Sequence, residues 1–554
     1  MKGAIVATLV AGSLAGDVRN NIAKDGTRKI KHMVQILMEN RPIDHTFGCM
    51  AGEGIIGLEG INGSHTLPKD PDDPSQGSVN VTCGTANYVC KHGPPYSMWD
   101  LKVKKGSNDH TYPYGPQDDK YSYENGADEN AIMMFSSEQL PIKTAVAKQF
   151  AVFNHLHGAI PSFSEPNHMM THSGTSCHLS TNPSSKCPTS VWPQPTIYDT
   201  LDKDGVSFKL FSNSTNGACP EGGMAGVARH KDNCFNHTEF YKLAASGDLP
   251  SHSYLSPPGE ACDHPCHDIA KGERFLKDVY EALRAGPGWE NTMLFIAYDD
   301  GGGFYDHVVP PHEGVAADES PCHVPPNCSA QPFDFKRLGI RVSAMVLSPW
   351  VPANTAIREP NGPTPSSQYD ITSGIATAKK LFNLSTFLTK RDSWVGTRSQ
   401  PCSLVFELES ERWGPLKGTF DELLTLDEPR TDCPMHFPEA PPVAAPWTCP
   451  GCQNTASDLR RLEAASEDAS EGQHCSAQRR VCEGSAAVTE RQRRMVRHLM
   501  GSPATDGVAP LDLERSTFAE AEEWIERQSA KRMRLPAPPK LTADQFLHWT
   551  RSGR

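Results

Sequence analysis

Two adjacent aspartates, Asp299 and Asp300, close an apolar run and open a glycine-rich turn in Met293-Leu-Phe-Ile-Ala-Tyr-Asp-Asp-Gly-Gly-Gly-Phe-Tyr-Asp-His307. Two carboxylates at one strand end repel strongly unless a cation lies between them. Glu39, Asn40 and Arg41 end a second apolar run, Ile30–Met38. Glu and Asn offer hard oxygen ligands, which suit calcium, magnesium or manganese and are tolerated by zinc and iron. A third stretch carries Ser164-Glu165-Pro166-Asn167. A hydroxyl beside a metal can become an activated nucleophile, and a helix N-terminus attracts phosphate. Each piece also has a plain reading: an Asp-Gly turn, an exposed polar strand exit, a capping serine. His155, His157, His168 and His172 lie near Ser164 in the chain and could be extra ligands, but are read as structural.

These residues need elements that bring them together. The runs ending at Met38 and Tyr298 read as buried strands, and Ala151-Val-Phe153 as another. Open α/β sheets carry their chemistry beyond the carboxyl ends of their strands. Ser164 reads as an N-cap, with Glu165 and Pro166 in the first turn of a helix.

Further blocks extend the pattern. They are Met33–Gly48, Leu140–Phe150, Asp263-His-Pro265, Gly272-Glu-Arg-Phe275, Gly339-Ile-Arg-Val342, Leu347-Ser-Pro-Trp350, Leu381-Phe-Asn-Leu384, Leu388–Trp394 and Pro429–Pro434. Together they resemble the phosphoesterase family of plant and bacterial non-specific phospholipases C and certain bacterial acid phosphatases, within the alkaline-phosphatase-like superfamily. The last four blocks look most like the plant phospholipases. The resemblance implies an α/β fold: an alkaline-phosphatase-like, mostly parallel central sheet flanked by helices, with a C-terminal helical extension. It implies Glu39, Asn40, Asp299, Asp300 and Ser164 as ligands of a divalent metal ion, and Ser164 as the nucleophile, where Thr is commoner. It also implies His264 and His307 as catalytic groups around the phosphoryl group, with Asn167 and His110 as substrate contacts.

The implied activity is a metal-dependent phospholipase C that releases diacylglycerol and a phospho-headgroup through a phosphoseryl intermediate. An acid phosphatase acting on phosphomonoesters is the alternative, because Asp299-Asp300 stands where phospholipases usually carry Asp-Glu. Two other departures, His168 for the usual Arg and Ile371 for the usual His, leave room for a catalytically impaired lipid-binding relative. Pro42 and Ile43 replace a Ser-Phe pair, a difference of packing.

The net charge of −13 and the shortness of the basic clusters argue against nucleic acid as a partner. They also give no strong pull toward anionic membranes. A phospholipid or other phosphoester is the expected partner, with peripheral membrane contact and no transmembrane segment. Residues 1–16 read as a signal peptide with a Ser13-x-Ala15 cleavage pattern. Seventeen cysteines and sequons at Asn62, Asn80, Asn213, Asn236, Asn327 and Asn383 also favour a secreted or lumenal protein.

Cys177 with Cys187, Cys219 with Cys234, and Cys322 with Cys328 read as local disulfides, and the odd total leaves a thiol over. The cluster of Cys449, Cys452, Cys475 and Cys482 fits disulfides better than any common zinc module. The catalytic domain is expected over 27–437, a Pro/Ala-rich linker over 438–452, and a helical region over 453–554. There Phe518, Ala521, Trp524 and Ile525 recur at helical spacing, as on a face docked to the domain or lying on a membrane.

Overall fold

Every residue of Thr292–Tyr298 is buried, as are all but the first of His32–Met38, the burial pattern of strands covered on both faces. These two strands form the middle of an eight-stranded sheet. The computed structural model describes residues 21–24, 26–68, 75, 77–89, 129–183, 192–213, 218–265, 267–322, 333–360, 364–395 and 419–443. The expectations for residues 1–16, His110, the later cysteine cluster and the C-terminal helices lie outside the described residues.

The strands of the large sheet are β1 (His32–Met38), β2 (Ala151–Phe153), β3 (Phe208–Ser212), β4 (Cys234–Asn236), β5 (His252–Leu255), β6 (Thr292–Tyr298), β7 (Ala344–Leu347) and β8 (Thr355–Ile357). Their order is β8-β2-β7-β6-β1-β5-β3-β4. All neighbouring pairs are parallel except the two that involve β7. The expected mostly parallel α/β sheet is therefore what forms. Its core unites Val34, Ile36 and Met38 with Leu294, Phe295 and Ile296. Each such side chain, fully buried, contributes about 1.5–3 kcal/mol.

Helices that bear on the site are α1 (Ile43–Thr46), α2 (Pro141–Gln149), α3 (Ser164–Ser173), α4 (His237–Ser246), α5 (Ile269–Ala285) and α6 (Ser373–Phe382). Asn236 caps α4 and Asp268 caps α5 through their side chains. Buried Ile269, Leu276, Val279, Tyr280 and Leu283 mark the inner face of α5. Lys143 of α2, fully buried, reaches both Asp263 Oδ2 and Glu273 Oε1 at 3.0 Å, fastening α2 to α5. Lys277, Tyr280 and Arg284 of α5 also bind the carbonyls of Phe437, Pro434 and Cys433. Packing continues to Ala440, past residue 438 where composition suggests a linker.

Three disulfides have both halves among the described residues: Cys49–Cys83, Cys177–Cys322 and Cys219–Cys234. Only the last is a local pair of the kind expected. Cys177 bonds to Cys322 rather than to Cys187, so Cys322 is not joined to Cys328 either. The reason lies at the end of α3, where Asp318 accepts bonds from Thr175 Oγ1 and the Ser176 amide. That clamp lays the two loops side by side, and nearness in space overrides nearness in sequence. Cys433 is a buried free thiol. Among the described residues no helix is long and apolar enough to cross a membrane.

Candidate active site

Strands β1 and β6 are parallel neighbours in a register that pairs Met38 with Tyr298. The next residues, Glu39 and Asp299, therefore leave the sheet side by side. The main chain then fixes the acidic pair. The amides of Asn40 and Asp300 donate to Asp299 Oδ1 at 2.9 and 2.7 Å, and the Gly302 amide donates to Asp300 Oδ1 at 2.7 Å. One oxygen of each aspartate is held in this way, and the other is left to face inward. Gly302 is needed for the turn: its φ is +56°, and a Cβ there would lie 2.5 Å from Asn40 O. Asn40 adopts φ +62°, a conformation that Asn tolerates better than most residues.

Ser164 is the first residue of α3, one place inside the N-cap position expected for it; Phe163 holds that position without a side-chain cap. The amide of Glu165 is satisfied instead by Asn182 Oδ1, at 2.9 Å. This frees the Ser164 hydroxyl, which lies 3.1 Å from Asn40 Oδ1 and 3.3 Å from Asp300 Oδ2 and can donate to one of them at a time. The three stretches singled out in the sequence thus meet at one point.

One turn along the same face of α3 is His168, which the sequence reading had set aside as structural. Its Nε2 stands 3.4 Å from Asp299 Oδ2 and its Nδ1 is 2.8 Å from Glu221 Oε1. Burial would lower its pKa, but Glu221 and Asp299 outweigh that and hold it well above the usual value. Burial and the Asp299 charge push the Asp300 carboxyl well above the carboxylate range. Among the described residues no Lys or Arg pairs with either aspartate. Asp299 Oδ2, His168 Nε2 and His264 Nε2 are all buried without a hydrogen-bond partner. Asn40 Oδ1 and Asp300 Oδ2 stand against the Ser164 hydroxyl, while Glu39 and Asp299 leave adjacent strand ends beside them. Among the described residues, however, no three His, Cys, Asp or Glu side chains form a ready-made ligand group.

The remaining expected site residues divide. His264 follows β5 and aims Nε2 at Glu39 Oε2, 3.9 Å away, while its Nδ1 lies 2.6 Å from Pro265 O. Burial, His267 and Arg41 bring its pKa down to about 3, so it is neutral at physiological pH. His307 contacts Asp44 Oδ2 at 2.6 Å through Nδ1, in a buried cluster with Asp306 and Arg341. Burial lowers its pKa, but Asp44 more than offsets this and leaves it raised. Asn167 spends its amide on the loop before α3: Oδ1 accepts from the Ile160 amide, and Nδ2 donates to the carbonyls of Ile160, Ser162 and Phe163. It shapes the approach to Ser164. Asp44 and Glu221 were missed. Asp44 had a signal, since it lies within the Met33–Gly48 block. Glu221 had none, because its loop is distant in sequence and is tied down by the Cys219–Cys234 disulfide.

The profile of the Phosphoesterase family matches residues 30–385. Non-specific phospholipase C1 of Arabidopsis thaliana is 35% identical over 434 residues, covering 76% of this chain and 75% of that protein. The chain belongs to the phosphoesterase family. It is thus a hydrolase of phosphoric ester bonds. Non-specific phospholipase C6 of Arabidopsis thaliana is 33% identical, covering 75% and 76% of the two chains. Among solved structures, the phosphonate monoester hydrolase of Agrobacterium radiobacter is 10% identical, with a TM-score of 0.30 and coverage of 69% and 77%. At that score the likeness bears on nothing further. Within this phosphoesterase, Ile371 is 1% exposed in the main core, its amide bonded to His157 O. Position 371 is a packing position.

Proposed function

We propose that the protein is a secreted, metal-dependent phospholipase C that cleaves glycerophospholipids to diacylglycerol and a phospho-headgroup. One observation carries the chemistry: the Ser164 hydroxyl, free of capping duty, faces Asn40 and Asp300 at a doubly acidic strand end. The substrate class is supported by the names of the plant relatives. Cys49–Cys83 and the other disulfides, with exposed sequons at Asn62, Asn80, Asn213, Asn236 and Asn383, support the secretory pathway. A lipid substrate entails peripheral contact with a bilayer.

Glu39, Asn40, Ser164, Asp299 and Asp300 would hold the cation. Asp299 Oδ2, buried and accepting no hydrogen bond, and the absence of Lys or Arg pairing with either aspartate among the described residues support the fit. When bound, such an ion neutralises phosphate charge and favours the ionised serine. Ser164 Oγ gives its proton to Asp300 Oδ2, its hydrogen-bond acceptor, and attacks phosphorus in line, and the bond from phosphorus to the glycerol oxygen breaks. His307, whose charged form Asp44 favours, gives its proton to that oxygen, and diacylglycerol departs. His264 is neutral and so suits accepting or holding rather than donating a charge. Water then attacks the phosphoseryl ester and gives a proton to His307, the bond from phosphorus to Ser164 Oγ breaks to release the phospho-headgroup, and Asp300 returns its proton to the serine oxygen.

The second reading, an acid phosphatase, is favoured by the Asp299-Asp300 pair and by Ser at position 164. Incubation with phosphatidylcholine and with a simple phosphomonoester separates the two. Phosphocholine and diacylglycerol are expected; inorganic phosphate from the monoester with no lipid cleavage would reverse the assignment.

A further inference from the structure

His168 enters the strand-end site beside Ser164 and is only 6% exposed at its side chain. Its Nε2 faces Asp299 Oδ2 at 3.4 Å and Glu39 Oε1 at 4.0 Å, in an alignment that makes a hydrogen bond to neither. Its other nitrogen, Nδ1, is gripped by Glu221 Oε1 at 2.8 Å. An imidazole held from behind by a carboxylate, with its front nitrogen turned into a cluster of buried oxygens, has the build of a supported metal ligand. His264 repeats the pattern from the β5 side, with Pro265 O behind it and Glu39 Oε2 in front at 3.9 Å.

The support is itself braced. Glu221 sits at φ +58° in a turn whose Cys219 is bonded to Cys234 of β4. Its carbonyl accepts from the Met224 amide at 3.0 Å, and the neighbouring Gly223 carbonyl accepts from Trp192 at 2.8 Å. A non-glycine residue keeps that conformation only where its surroundings enforce it. The enforced result is a carboxylate placed behind one histidine.

We infer that His168, positioned by Glu221, is a nitrogen ligand of the cation at the ends of β1 and β6, making a mixed nitrogen–oxygen site that prefers zinc or ferrous iron to calcium and magnesium. Imidazole suits the first pair, whereas sets built only of oxygen suit the second. The inference rests on the proposed metal dependence and adds to it the class of metal.

The test uses the full chain, stripped with a chelator and dialysed under anaerobic conditions against equal zinc, ferrous iron, calcium and magnesium, with bound metal measured by elemental mass spectrometry. Wild type should retain zinc or iron over calcium and magnesium. Glu221→Gln should weaken zinc or iron binding about 10–100-fold. His168→Gln, which offers an amide oxygen in place of the ring nitrogen, should lose that preference and shift toward calcium and magnesium. Circular dichroism checks the fold of each variant; should His168→Gln fail to fold, Glu221→Gln carries the test. Unchanged transition-metal affinity in the folded variants, or a wild type that prefers calcium, overturns the assignment of His168. Asp299→Ala keeps the two readings apart. Metal lost there but unaffected in His168→Gln sinks only the histidine ligand, whereas a wild type that binds none of the four ions sinks metal dependence itself.

Discussion

Ser164 directs its hydroxyl to Asn40 and Asp300 rather than to the amides of its own helix, so its chemical and structural duties separate. On sequence alone, losing this serine would also cost a helix cap, about 1 kcal/mol. With Asn182 covering the Glu165 amide, that cost falls away. Ser164→Ala should therefore keep wild-type stability while turnover drops by roughly 10⁴–10⁶-fold, as for other removed nucleophiles. Mass spectrometry of enzyme quenched during turnover should find phosphate on the Ser164 peptide. Active Ser164→Ala without that adduct would point to direct attack by water. His307 gives a second expectation. Its raised pKa means the charged imidazole persists to higher pH than in a free peptide, so turnover that needs its proton should fall as pH rises through that value. The stability lent by the Asp44 ion pair is present below the ordinary histidine pKa and is lost over the same rise. Asp44→Asn should move the basic limb of the kcat profile to lower pH; coincident profiles would remove His307 from proton transfer.

At the scale of elements, two parallel strands in fixed register bring Glu39 to Asp299, and a helix brings in Ser164 from the side. The strands were legible in the sequence because buried parallel strands read as unbroken apolar runs. The start of α3 was misplaced by one residue because its amide is satisfied by Asn182, beyond the far end of the helix. His168 was passed over for a similar reason: its meaning comes from Glu221, on a distant loop. Local patterns carry strands and turns; they do not carry which loop lies behind which side chain. Another long-range tie is Lys143, whose ammonium is shared by Asp263 and Glu273. Burial pushes Glu273 upward even so, as expected where two carboxylates depend on a single buried cation. Lys143→Ala should cost about 3–5 kcal/mol in urea unfolding, since it leaves buried charges uncompensated. A loss below about 1 kcal/mol would mean that α2 and α5 are held by apolar packing alone. Asp263 precedes His264, so the same variant should also disturb the histidine.

For the whole molecule, the proposed metal dependence would make folding and metal binding a single equilibrium, since the acidic groups crowd one end of the sheet. An ion that binds only the folded chain stabilises it by about 2.7 kcal/mol at a hundred times its dissociation constant. Chelation should thus lower the melting temperature and abolish turnover together, and calorimetry with and without chelator measures the shift. Equal melting in both conditions would mean that the acidic cluster is stable on its own. The disulfide pattern marks the limit of reading at this scale: Cys177–Cys322 closes a loop of 145 residues, which no count of nearby cysteines suggests.

The pairing of Met38 with Tyr298 has a consequence in time. Glu39 and Asp299 are 260 positions apart (299 − 39) and become neighbours only when the strand before Asp299 docks. At about 5–20 residues per second of synthesis, Glu39 emerges roughly 13–52 s before its partner exists. A nascent or truncated chain ending anywhere short of Asp299 therefore carries half a centre. On the proposed function, such a chain is harmless to the phospholipids of the cell that is making it. Latency of this kind needs no inhibitor and no propeptide; the order of the strands supplies it.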